Sequence, residues 1–246
     1  MAKKSIISLV EAGGLIGSSA GARTLIERTY AMLREDILAG RLAPGEKLLV
    51  EHLKDRYEVG AGTLREALSR LVSEAMVVAE GQRGFTVAPI AIEELIDITN
   101  LRVNVETEAL RASIRNGDDR WRKRLESAYE DLSLLEQPLV SENVKRWELA
   151  NARFHEALLS ACDSPWTLRV LKQLTQHSER YRRFAIGLQS GRDVHEEHAL
   201  IYDSAVRGQD ARAALALEVH IRATPETLIR ASENGADVFR LKKSGS

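Results

Sequence analysis

Apolar side chains recur at helical spacing from about residue 25 to 39, with Ile26, Tyr30, Leu33 and Ile37 in register. Gly40 stops the pattern and Pro44-Gly45 predicts a turn. A second helix is expected over about 50–57. A third, over about 62–74, carries Leu64, Leu68 and Leu71 on one side, Arg65 and Ser69 on a flank, and Arg70 on a third face. Val77-Val78-Ala79-Glu80 and Phe85-Thr86-Val87-Ala88 read as two strands around the turn Gly81-Gln82-Arg83-Gly84, and Pro89 closes the segment. Helix, helix, glycine-rich turn, arginine-bearing helix and hairpin, in that order, describe a winged helix-turn-helix.

Beyond Pro89 the periodicity is helical throughout. Candidate helices span 92–115, 119–137, 142–162, 165–189, 192–207 and 210–234. They are punctuated by Asn116-Gly117, Asp118, Pro138, Ser141, Ser164-Pro165, Ser190-Gly191, Gly208 and Asn234-Gly235. Six amphipathic helices with short connections predict an antiparallel bundle, and Pro225 predicts a kink or break in the last. The expected fold class is mainly α, an N-terminal winged helix-turn-helix followed by an all-helical antiparallel bundle. The expected organisation is a mobile leader at 1–20, a winged domain at 21–89, a helical domain at 92–235 and a frayed tail at 236–246.

Charge moderates this picture. The whole chain of 246 residues carries a net charge of −1, and residues 21–90 hold ten Lys/Arg against ten Asp/Glu. Bulk charge therefore attracts no nucleic acid, and any affinity must come from where the charges sit. Cys162 is the only cysteine, which excludes an intrachain disulfide and suits a reducing cytoplasm. The run Ile6-Ile7-Ser8-Leu9-Val10 is too short for a signal-peptide core or a membrane span, so no membrane partner is expected.

In a winged helix the third helix enters the major groove N-terminus first. Gly60 and Gly62 let its backbone approach closely, and Thr63 can bond a phosphate. Arg65 can reach a guanine edge or a phosphate, and Arg70 lies further along the helix. Arg83, between glycines at the wing tip, is placed for the backbone or the minor groove. The plainer alternative is that Arg65 and Arg70 only solvate a helix face. Residues 25–88 resemble the winged-helix domain of GntR-type bacterial transcription regulators. The pattern Ile-x-x-Gly-x-Leu-x-Pro-Gly-x-x-Leu is met at Ile37, Gly40, Leu42, Pro44, Gly45 and Leu48, and Leu-Arg-Glu-Ala-Leu at 64–68. Many members carry Ser-Arg-Thr-Pro where this chain has Gly60-Ala61-Gly62-Thr63, so the family's arginine is absent at Ala61. The resemblance implies a regulator of double-stranded operator DNA, acting as a homodimer, with an operator of its own.

A second constellation lies in the helical half. Asn151 and His155 share a face at four-residue spacing, while His198 and His220 fall on two later helices among apolar neighbours. Imidazoles with one oxygen ligand suit a borderline divalent cation such as zinc. Ordinary hydrogen-bonded histidines would have the same spacing, and His195, one turn before His198, competes for the role. His52 and His177 read as surface residues. Residues 92–235 resemble the FCD-type effector domain of the FadR subfamily, whose metal-binding members match at Asn151, His155, His198 and His220. The implied cofactor is a divalent metal, zinc with nickel or manganese as alternatives, and the implied partner is a small carboxylate effector. Asn151 stands where Asp is commoner, which leaves the site one negative charge poorer. The resemblance also assigns Arg102 to the effector, against a plain intrahelical pair with Glu106. A competing class is a metal-dependent hydrolase, but no nucleophile motif or phosphate loop accompanies the histidines. A purely structural metal in a dimerisation domain is the third reading.

Overall fold

A computed structural model describes residues 24–81, 84–136, 143–186, 188 and 192–234. The expected leader and tail, Arg83, Pro138, Ser141 and Ser190-Gly191 lie outside these residues. Among the described residues the order is α1 (Leu25–Leu38), β1 (Lys47–Leu48), α2 (Val50–Tyr57), α3 (Ala61–Ser73), β2 (Val77–Ala79) and β3 (Phe85–Val87). Then come α4 (Ile92–Asn116), α5 (Asp119–Glu136), α6 (Val144–Leu159), α7 (Pro165–Ile186), α8 (Val194–Val206) and α9 (Asp210–Glu233).

The first helix starts at Thr24 because a reciprocal cap satisfies two orphan amides. The Thr24 hydroxyl accepts from the Glu27 N–H at 3.2 Å and the Glu27 carboxylate from the Thr24 N–H at 2.9 Å. Leu33, Ile37 and Leu38 of α1 are buried against Leu64, Leu68 and Leu71 of α3, which fixes the arginine-bearing helix through its opposite, apolar face. Gly45 adopts φ +77° in the Pro44-Gly45 turn, a region open to glycine at little cost. That turn brings in β1, a strand that periodicity does not predict because two residues have none. The sheet is antiparallel in order β1-β3-β2, with Leu48 opposite Phe85 and Val77 opposite Val87.

The helical half closes around Leu110, Leu125, Phe154, Leu158, Ile201, Leu217 and Ile221. Helix α4 packs on α7 and α9, α5 on α6, and α8 on α9. Trp121 plugs one end, its Nε1 donating to the Ala157 carbonyl at 3.0 Å. Pro225 does not break α9, which continues to Glu233 with Pro225 and Leu228 buried. Proline removes one helical donor, and packing on α4 and α7 holds the helix together around it. Among the described residues no helix is long and apolar enough to cross a membrane.

A polar seam joins the two halves. Arg34 of α1 pairs with Glu179 of α7. Glu35 of α1 meets Arg183 of α7 at 3.3 Å and Lys145 of α6 at 2.9 Å. Arg180 donates to the Ala88 carbonyl at 2.6 Å, and the Tyr181 hydroxyl to Glu94 at 2.5 Å. Around these bonds Leu95, Tyr181, Phe184, Ala185 and Leu228 form a small separate core.

At the α4–α5 corner, a Cβ on residue 117 would lie 2.7 Å from Cδ2 of the Trp121 ring. That ring is buried and cannot retreat, so Gly117→Ala is expected to destabilise the protein by about 1–3 kcal/mol, read as a lower urea midpoint.

Candidate functional site

Two surfaces carry the chemistry. On α3, Leu64, Ala67, Leu68 and Leu71 face the core, leaving Gly62, Arg65 and Ser69 exposed to solvent and Thr63 part-exposed at the first turn. The helix begins after Gly60 with no side-chain cap, so its first amides are open to an incoming anion. A Cβ placed on Gly60 or Gly62 would meet no atom within 4 Å, and neither residue has a positive φ. The fold itself therefore does not require glycine at either place. Arg70 lies 3.6 Å from Glu66 one turn back.

The second surface is internal. His155 of α6, His198 of α8 and His220 of α9 bring ligand-capable atoms within 4.8 Å of one another. Their orientation follows from carboxylates behind them. His198 is wholly buried, and its Nδ1 lies 2.7 Å from Glu136 Oε1. Glu136 also accepts from Trp147 Nε1 at 3.0 Å and faces His195 Nδ1 at 3.3 Å. His220 Nδ1 lies 2.8 Å from Glu197 Oε2. His155 Nδ1 is 3.5 Å from Glu106 Oε1, too long for a good hydrogen bond. A carboxylate on Nδ1 selects the tautomer with a bare Nε2. His198 Nε2 is buried and has no hydrogen-bond partner.

The electrostatics are consistent with a site that waits for positive charge. Burial pushes the Glu106 carboxyl up, but Arg102 and His155 outweigh it and hold it at about 2. Burial likewise opposes ionisation of Glu136, and its bonds to His198 and Trp147 pull its pKa below the usual carboxylate range. Burial, then His198 and His155, push His220 well below the ordinary imidazole value. Burial lowers His155 against the pull of Glu106. Imidazoles backed by carboxylates are the donor set of a divalent cation, so these residues fit one.

Asn151, buried one turn before His155, lines a cavity of about 180 Å³ together with His155, His220 and three arginines, Arg102, Arg182 and Arg192. Arg102 does pair within α4, its Nη2 donating to Glu106 at 2.9 Å, while also lining the cavity. Arg192 grips Glu197 through Nε at 2.6 Å and Nη2 at 2.5 Å. His195 is turned to Glu136 and stands outside the histidine cluster. Sequence reasoning overlooked Glu136, Arg182 and Arg192. Glu106 was legible only as the intrahelical partner of Arg102, and Glu197 as the holder of His220 was not.

A winged helix set on a helical bundle is the architecture of a helix-turn-helix transcription regulator. The chain belongs to the GntR family: residues 25–87 match bacterial regulatory proteins of the gntR family and residues 97–223 match the FCD domain. It is 46% identical over 209 residues to the HTH-type transcriptional regulator BphR of Paraburkholderia xenovorans, covering 83% of this chain and 85% of that one. It is 32% identical over 212 residues to the HTH-type transcriptional repressor GlaR of Escherichia coli, covering 84% and 96%. Among solved structures, a GntR regulator from Rhodococcus sp. RHA1 superposes with a TM-score of 0.67 at 20% identity, over 85% of this chain and 99% of that one. E. coli McbR/YncC gives 0.66 at 18%, over 87% and 100%. These likenesses establish the fold, and the family makes the chain a transcription regulator and not an enzyme.

Glu136→Ala would leave Trp147 Nε1 and His198 Nδ1 without their acceptor in the interior. The expected cost is about 3 kcal/mol, measured by urea denaturation.

Proposed function

We propose that this protein is a cytoplasmic, homodimeric repressor that releases its operator when a small carboxylate binds at a divalent metal in the helical domain. The winged domain spans 21–89 and the effector-binding and dimerisation domain 92–235. The observation that carries the reading is the buried, partnerless Nε2 of His198, facing His155 and His220 beside an arginine-lined cavity. Asn151, His155, His198 and His220 hold the metal, zinc before nickel or manganese. The bound metal supplies a fixed positive charge on which a carboxylate can rest. Arg102 faces the same acid, with Glu106 holding its guanidinium in place.

For DNA, α3 offers its first-turn amides, Gly62, Thr63, Arg65 and Arg70, and the wing adds Arg83. Two glycines that the fold itself does not require support a close approach of phosphate to that turn. Exposed Leu101 on α4, with Leu215 and Val219 on the adjoining α9, supports a second copy covering this apolar face. The name of GlaR, a repressor, supports the sign of regulation.

The seam supplies the coupling. Glu148, Asn151 and His155 share one face of α6, and Arg183 joins Glu148 at 2.8 Å to Glu35 of α1. A shift of α6 on ligand binding therefore pulls on the first helix of the winged domain. A coupling of about 1–3 kcal/mol is enough to change operator occupancy severalfold to a hundredfold.

Elemental analysis of untagged protein purified without chelator is expected to find one divalent metal per chain, and Glu136→Gln to weaken its binding about 10–100-fold. Absence of metal in the wild type would overturn the site. In DNA-binding titrations at fixed salt, Arg65→Ala is expected to cost about 1–3 kcal/mol of operator affinity. Gly62→Ala separates folding from function: it should raise the melting temperature slightly and weaken operator binding. Unchanged affinity in both variants would remove α3 as the reading helix.

A further inference from the structure

Among the described residues that line the cavity, Arg182 is a cation without a polar partner. Of its three arginines, Arg102 is engaged by Glu106 and Arg192 by Glu197. Arg182 has no hydrogen-bond or ion-pair partner among the described residues, and its Nε is fully buried. The carboxylates whose charge reaches it, Glu179 and Glu148, are themselves held by Arg34 and Arg183. Its one close aromatic neighbour among the described residues is Trp147, with the ring centroid 5.9 Å from the guanidinium carbon. Burial lowers its pKa, outweighing the pull of those two carboxylates. A buried N–H without an acceptor is unfavourable until one arrives.

We propose that the cavity takes a dicarboxylate, one carboxylate at the histidine cluster and the other on Arg182. This rests on the small-carboxylate reading above and goes further by naming the ligand as a dianion. Arg102 lines the same cavity, and its charge acts on His155 and His220 as well as on Arg182. The lining between is mixed. Leu95 and Ile221 offer surface to methylenes, and Thr99, Thr175 and Thr227 border the cavity as hydroxyl neighbours. A monocarboxylate satisfies the histidine end alone and leaves Arg182 as unfavourable as before. A guanidinium can take the second carboxylate through two parallel hydrogen bonds, which a ligand whose only carboxylate rests at the histidines cannot offer.

The test is calorimetric titration of zinc-loaded, full-length protein with the straight-chain diacids from malonate to adipate and with monoacids of matched length. The best diacid is expected to bind at least about tenfold tighter than its monoacid counterpart. Arg182→Met, which replaces the unpaired charge with an apolar chain of similar length, is expected to melt higher in the absence of acid. It should lose the diacid preference, while Arg182→Lys should keep part of it. Equal affinity for diacids and monoacids in the wild type, or a preference that survives Arg182→Met, would overturn the dianion while leaving the small-acid reading intact. Failure of both classes to bind the zinc-loaded protein would overturn both.

Discussion

The fixed point of the helical domain is a hydrogen bond that cannot be moved to solvent. His198 is completely buried, and the carboxylate of Glu136 holds its Nδ1 from the end of α5. Once that bond is made, the ring presents its bare nitrogen to His155 and His220, and α5, α6, α8 and α9 must converge on the same point. A buried acceptor with no donor is destabilising by about 1–3 kcal/mol. The surrounding core accepts that cost and holds the residues in place, with Phe154 packed edge-on to both His155 and His198 at 5.5 and 5.3 Å. The rings are thus oriented by the protein's own hydrogen bonds and packing.

Much of the frame was legible from periodicity. Leu33, Ile37, Leu64, Leu68 and Leu71 are apolar at helical spacing because they share one core, so their pattern reports the contact directly. The same holds for the helices behind Phe154 and Leu217. The pairing that orients the site was not legible. Glu136 and His198 are 62 positions apart, and a glutamate at a helix end looks like any solvated charge until the fold brings it to a buried imidazole. Arg182 escaped for a related reason: it sits in α7 between Tyr181 and Arg183, in a run of polar residues that reads as a surface stripe. Pro225 misled in the opposite direction. Its local preference argues for a break, and packing across α9 overrides it.

The arrangement of α7 explains how one helix can serve both ends of the molecule. Ser178 and Arg182, one turn apart, line the cavity. Glu179 and Arg183, each one position on, face the winged unit through Arg34 and Glu35. A helix is stiff along its axis, so a rotation small enough to re-aim Arg182 also re-aims Arg183. Arg183 is held by two carboxylates at once, Glu148 from the site side and Glu35 from the winged side. Its position reports the balance between them.

This geometry also bears on why the winged unit carries no excess positive charge. A strongly basic domain would bind DNA whatever the state of the bundle, because nonspecific attraction grows with each neutralised phosphate. With charge close to balance, affinity in the proposed dimer depends on how well two α3 helices are presented to two half-sites, and that is a matter of position. In the proposed switch, the seam at Arg34, Glu35 and Arg183 acts on position. In that reading, a charge-balanced winged unit on a polar seam responds more to a few kcal/mol at the cavity than a basic one would, because little electrostatic affinity remains when the geometry is wrong.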